Sequence, residues 1–177
     1  MRNFMRKLST SQIVILGFAA VILLGSLLLM LPISVRSGQW AAFPDTLFTA
    51  VSAVCVTGLV VQDTASYWSG FGQGVILLLI QIGGMGIVTF AILITSAAGQ
   101  TVSLRQRGAM QDAISAHKIG GIVRLTRFIL LATASIELLG AAALAPVFCR
   151  EFGLGKGLWY SLFHSVSAFC NAGFDLM

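Results

Sequence analysis

The sequence predicts an all-α polytopic membrane protein built from units of helix, pore loop and helix, one unit complete and a second incomplete. Two observations carry that prediction. Hydrophobic residues make up 57% of the chain and charged residues 10%, with a mean hydropathy of +0.93. Ordinary soluble domains carry roughly 25% charged residues, so this chain is made for hydrocarbon. The second observation is an internal repeat. Residues 48–59 align without gaps on residues 163–174, 115 positions further on, with Phe, Val, Ser, Ala, Cys and Gly coinciding. Each copy is a short apolar stretch that breaks into a Cys-x-x-Gly turn after a long hydrophobic run.

The elements follow in order. The basic tip Met1-Arg2-Asn3-Phe4-Met5-Arg6-Lys7 before an apolar run has the outline of a secretory signal. The run over residues 13–33 is 21 residues long, however, and at ~1.5 Å per residue it matches a hydrocarbon core of ~30 Å. A signal-peptide core is shorter, so this is a retained first span, closed by Pro32 and the polar stretch 34–39. Pro44-Asp45-Thr46 is a helix start, with Pro and Asp where free amides and the positive dipole end favour them. The helix it opens runs to about Val54, about ten residues or ~15 Å, enough to enter a bilayer but not to cross it. After the turn at 55–59 and a polar outer stretch (Gln62, Asp63, Thr64, Ser66), residues 74–94 form the second full span.

Residues 98–121 are the extended polar connection, with Arg105, Arg107, Asp112, His117 and Lys118, and Arg124 and Arg127 lie just beyond. Residues 128–149 form the third span, interrupted by Glu137 and Pro146. A short loop over 150–157 leads to a second half-length helix over 158–169 and its turn at 170–174. The chain therefore divides into a first unit (1–98), a cytoplasmic linker (99–121) and a second unit (122–177) that stops at its turn.

Eight of the eleven Lys and Arg, in the tip, the linker and just beyond it, fall on one side; Arg36, Arg150 and Lys156 fall on the other. The positive-inside rule then puts the N-terminus and the linker in the cytoplasm of a multi-pass cell inner (plasma) membrane protein. Both half-helices enter from outside, where Asp45, Asp63, Glu151 and Asp175 raise the local cation concentration. The net charge of +5 reflects topology, not nucleic-acid binding. Three cysteines, two of them at equivalent repeat positions, and two histidines leave no disulfide or metal pattern.

The chemistry expected of the turns is that of the backbone. Moving a small ion from water into the bilayer core has an idealised cost of order 20 kcal/mol, so a pore must supply oxygens in place of water. Main-chain carbonyls do so without a fixed charge that would hold the ion too tightly, and irregular backbone at membrane depth is tolerated where it lines a cavity. The candidate filter residues are Cys55, Val56, Thr57 and Gly58 in the first turn and Cys170, Asn171, Ala172 and Gly173 in the second. Gly58 and Gly173 allow the dihedrals that turn carbonyls inward. The cysteine side chains are expected to face the protein, and Val54, Val56 and Phe169 to pack the turns against neighbouring helices.

Ala53-Val54-Cys55-Val56-Thr57-Gly58-Leu59, Gln81-Ile82-Gly83-Gly84-Met85-Gly86-Ile87 and the repeat copy from Phe163 to Phe174 resemble the Trk/Ktr/HKT superfamily of potassium transporters. Ser103-Leu104-Arg105-Gln106-Arg107 and Ile136-Glu137-Leu138-Leu139-Gly140-Ala141 are similar to its bacterial KtrB-type (TrkH-like) membrane subunits. The resemblance implies four repeats around a central pore, with one filter glycine from each; Gly58 and Gly173 match the first two. Glycine at the first position resembles the potassium-selective members. The resemblance also implies potassium uptake with possible sodium coupling (symport), no resident cofactor, a homodimer of full-length subunits, and a cytoplasmic ring of nucleotide-binding regulatory subunits that gates the pore. With half of that pattern present, the sequence is expected to be a fragment, unstable or inactive alone.

His164 is a pore-facing titratable group or, more simply, a half-helix residue bonded to a neighbour. Glu137, ionisable and mid-span, is a functional candidate by default, or a hydrogen-bonded structural group. Gly83-Gly84-x-Gly86 sits inside a span and serves close helix contact rather than a nucleotide. Asp63 and Asp175 are solvated loop charges, and the basic linker is a topology signal or a regulator or lipid contact. The alternative to a transporter is a polytopic scaffold, which leaves two half-length helices ending in the same turn without an account. An enzyme is disfavoured, for the spans hold no paired carboxylates, Ser/His pair or metal spacing.

Overall fold

The structure, a computed structural model, describes residues 10–86 and 122–177. The basic tip, residues 87–94 of the expected second span and the linker with Arg105, Arg107, Asp112, His117 and Lys118 lie outside the described residues. Five α-helices are described: α1 (Thr10–Met30), α2 (Phe43–Val54), α3 (Gly70–Met85), α4 (Ile122–Phe152) and α5 (Leu154–Phe169), with a 3-10 turn at Pro32–Ser34. Among the described residues there is no strand, only an isolated bridge between Val35 and Trp68.

The first unit is α1, α2 and α3. α2 starts as its residues dictate, with Pro44 in the first turn and Asp45 behind it. Asp45 accepts a hydrogen bond from Gln62 Nε2 at 2.9 Å, which ties the outgoing loop back to the helix start. α3 is capped by Ser69, whose hydroxyl accepts from the Gly72 N–H at 3.2 Å, satisfying one of the free amides of its first turn. The loops before α2 and α3 zip together: Ser69 N–H donates to the Ser34 carbonyl at 2.9 Å and Arg36 N–H to that of Tyr67 at 3.0 Å. Trp68 is fully buried beneath them.

Three expectations about lengths are corrected. α3 stops at Met85, because Gly86 takes φ 82°, a conformation no α-helix contains; the unbroken span expected to Ile94 is interrupted there. α4 runs on to Phe152, and the expected loop over 150–157 shrinks to Gly153 at φ 79°. One left-handed residue reverses the chain at once, so α5 begins at Leu154 rather than 158. Its 16 residues make about 24 Å, longer than half a bilayer but still short of ~30 Å.

Among the described residues one helix, Thr126–Phe152, is long and apolar enough to cross a bilayer, while Val14–Met30 and Gly70–Met85 are shorter apolar helices. α4 keeps Pro146 in its interior, where the carbonyl of Ala142 loses its N–H donor. Phe128, Leu131, Ile136, Leu138, Leu139 and Val147 point outward from it.

α4 packs on α5, α2 sits between α1 and α3, and α3 touches α5, so α3 joins the two units. Trp68, Phe163, Leu29, Ile76, Ile80 and Leu176 are the largest side chains of the common core. Polar groups cross it in pairs. Ser26 and Thr46 hydroxyls meet at 3.1 Å, and Trp159 Nε1 of α5 donates to Gln73 Oε1 of α3 at 3.0 Å.

Candidate functional site

Both short helices end in the same way. At the first, the N–H of Cys55 donates to the Val51 carbonyl (2.8 Å), Val56 to Ala53 (3.3 Å) and Thr57 to Ser52 (2.9 Å). At the second, Cys170 donates to Val166 (2.9 Å), Asn171 to Ala168 (3.0 Å) and Ala172 to Ser167 (2.7 Å). These are Schellman closures, in which the last two bonds satisfy carbonyls that the helix end leaves free. The left-handed residue each requires is Val56 in one and Asn171 in the other, both at φ 56°, and the glycines two residues on, Gly58 and Gly173, both take φ 71°. The repeat seen in the sequence is thus matched in the fold by the same hydrogen-bond closure and the same left-handed φ at two positions of each turn.

The two turns meet at their glycines. A Cβ placed on Gly58 would lie 2.7 Å from the Ala172 carbonyl oxygen and 3.1 Å from the Gly173 Cα, and one on Gly173 would lie 3.2 Å from the Gly58 Cα. The positive φ strains a side chain at either position, and at Gly58 the backbone contact must also shift to admit one. Among the described residues, no carbonyl of Cys55, Val56, Thr57, Gly58, Cys170, Asn171, Ala172 or Gly173 accepts a hydrogen bond. The turns are therefore closed on the helix side and leave eight oxygens uncommitted beyond it. α2 and α5 both direct their C-terminal, negative dipole ends at this place.

Hydroxyls brace the turns, and here the two copies differ. Ser52 Oγ pairs with Thr57 Oγ1 at 2.9 Å. Its repeat equivalent Ser167 sits opposite Ala172, which has no hydroxyl, and bonds instead to the Phe174 carbonyl (2.6 Å) and the Phe174 N–H (3.1 Å). Sequence reasoning gave these serines no role, although their coincidence in the repeat was a visible signal. Gly83 and Gly84 have a sharper function than the helix contact expected of them. Gly83 lies directly against the Val54 carbonyl of the first turn, and a Cβ on Gly84 would sit 2.6 Å from the Cys170 sulfur of the second, so one turn of α3 supports both.

The cysteines behave differently. Cys170 faces the protein as expected, half-buried with Sγ 3.8 Å from Gln81 Oε1. Cys55 is exposed, contrary to expectation; on α3, Gly84 lies against Cys170, whereas Gly83 lies against the Val54 carbonyl and not against Cys55. Val54 is buried and Val56 packs on the core, whereas Phe169 is 42% exposed and does not seal its turn. His164 is held at both ring nitrogens, Nδ1 at 2.7 Å from the Tyr160 carbonyl and Nε2 at 3.4 Å from the Leu176 N–H, and it stacks on Phe148. Asp63 and Asp175 are exposed loop residues. Hydrogen bonds from the Ser66 hydroxyl and then the Ser66 N–H hold the Asp63 carboxyl below its ordinary value.

Residues 3–177 match the family described as TrkH, cation transport protein. The chain is 45% identical over 172 residues to the potassium/sodium uptake protein NtpJ of Enterococcus hirae, a match covering 97% of this chain and 38% of that protein. It is 45% identical over 166 residues to the Ktr system potassium uptake protein B of Bacillus subtilis, covering 93% and 37%. To the protein of the same name in Vibrio alginolyticus it is 37% identical over 165 residues, covering 93% and 36%. The chain spans a little over a third of the length of these curated relatives.

Proposed function

The chain belongs to the TrkH family of cation transport proteins, and on that premise we propose that its two turns are parts of a selectivity filter that passes potassium across the cell membrane. The relatives named above are uptake proteins rather than enzymes. One observation supports the reading most. Eight main-chain oxygens, in two turns closed by the same hydrogen bonds and meeting glycine to glycine, accept no hydrogen bond among the described residues. A dehydrated monovalent cation needs such a set, and a neutral carbonyl binds it without trapping it. The negative ends of α2 and α5 add favourable potential at the same point.

In this reading the carbonyls of Cys55, Val56, Thr57 and Gly58 and of Cys170, Asn171, Ala172 and Gly173 take the place of water around potassium, which is cargo. The resemblance to the wider superfamily adds two further turns from a full-length subunit, a homodimer, a cytoplasmic nucleotide-binding ring and an N-terminus on the cytoplasmic side. Sodium coupling belongs to the same set of proposals. Replacement of Gly58 by serine in a transporter of full family length carrying this segment tests the core of it. The side chain meets the Ala172 carbonyl at a left-handed position, so the ratio of potassium to sodium uptake should fall several-fold, as for a specificity element worth about 1 kcal/mol or more. Unchanged cation preference with normal transport would show that this turn is not part of the filter.

A further inference from the structure

Buried and half-buried polar atoms between the two units converge on one carboxylate. Glu137 lies in the middle of α4 and is 7% exposed, and both of its oxygens face the Gln81 side-chain nitrogen of α3, at 2.8 and 3.1 Å. The other end of that amide, Gln81 Oε1, is 3.8 Å from Cys170 Sγ, with the thiol as donor. A primary amide has one donor end and one acceptor end. With its NH2 committed to Glu137, its oxygen is left pointing at the second turn. The main-chain carbonyl of Glu137 separately accepts from Ser165 Oγ of α5 at 2.6 Å, and Gly140, one turn further along α4, lies directly against the same serine. Cys170 is thus held between Gln81 and the bare face of Gly84, and α5 is held at Ser165, all in register with Glu137.

We propose that Glu137, acting through Gln81, is a positioning residue that fixes the second turn and thereby sets preference among monovalent cations. The proposal rests on the filter reading of that turn. Removing the carboxylate frees the amide to turn over, and Cys170 then meets an NH2 group instead of an acceptor. The turn relaxes, and discrimination between ions of similar size suffers before transport does.

The test uses a transporter of full family length carrying this segment, assayed for initial uptake of potassium and of sodium and for the amount of protein in the membrane. Gln81→Met, nearly isosteric but without either polar end, and Glu137→Ala should each shift the ratio of the two KM values by about threefold or more, while Glu137→Gln, which keeps an acceptor, stays within about twofold. The double variant should shift the ratio no further than either single one. An unchanged ratio in Gln81→Met, an additive double variant, or loss of Gln81→Met protein from the membrane would each overturn the proposal, the last by showing a bond that serves folding alone. Should Glu137→Ala fail to reach the membrane, Gln81→Met decides. Gly58→Ser, measured alongside, separates the two levels: if it shifts the ratio and Gln81→Met does not, the positioning role fails with the filter standing, and if neither shifts it, the filter reading fails as well.

Discussion

Val56 and Asn171 occupy the same left-handed position, φ 56° in both turns, yet they are not equivalent chemically. Asparagine tolerates that region, whereas a β-branched residue there is a genuine outlier and strained. Val56 recovers part of that cost by packing on the core; Asn171 is exposed. Asn171→Val should therefore cost about 1–2 kcal/mol with nothing gained. The reverse change, Val56→Asn, should be near neutral, since relief of strain and lost packing are each roughly 1 kcal/mol. Thermal unfolding in detergent reads both. Gly58 and Gly173 were legible from the Cys-x-x-Gly pattern, because only glycine signals a positive φ unambiguously; Val56 carried no such signal. At Asp63 the direction of the shift gives a pH prediction. A carboxylate depressed in the fold contributes stability above its unfolded pKa, ordinarily 3.8, and loses it as the pH falls through the lower folded value. Ser66→Ala removes the largest cause of the depression, so the Asp63 titration followed by carboxyl NMR should move back up toward the ordinary value. A titration that stays put would show that the Ser66 hydroxyl does not hold it.

The helices were readable as helices because their apolar runs are local, as is the start signal of Pro44 and Asp45 at α2, whereas the Ser69 cap that starts α3 at Gly70 rather than 74 was not read from the sequence. Their ends were less readable. α3 stops at Gly86 and α5 starts after Gly153, each decided by a single left-handed glycine inside a stretch whose hydropathy alone predicts something else. What α3 does also escapes its own sequence. In lipid, apolar side chains gain little by leaving the solvent, so close backbone approach and small residues carry association. Gly83 against a main-chain carbonyl has no room to give, whereas nothing stands within 4 Å of a Cβ on Gly74. Gly83→Ala should then destabilise by about 1–3 kcal/mol through overpacking, and Gly74→Ala should be neutral or stabilising by up to about 1 kcal/mol. Comparing the two melting temperatures in detergent checks the contact, and equal effects would refute it.

At the scale of the molecule, the two units are joined through α3 and α5: Trp159 to Gln73, Cys170 to Gln81, and turn to turn at Gly58 and Gly173. Groups in contact do not add. Gly58→Ser and Gly173→Ser should accordingly be non-additive in their effect on the ratio of potassium to sodium uptake by a full-length transporter, with a coupling of about 0.5 kcal/mol or more. Strict additivity would mean that the turns act independently. The sequence alone determined that the chain enters a membrane, that it repeats, and that each repeat ends its short helix at a glycine-bearing turn, because composition, periodicity and the freedom of glycine are properties of residues and their near neighbours. Only the tertiary structure decided that the two turns face one another, that a single turn of α3 supports both, and that Glu137 reaches Cys170 through Gln81. Those facts join residues 56, 89 and 115 positions apart, and no local preference along the chain encodes which distant atoms a packed backbone brings within bonding distance.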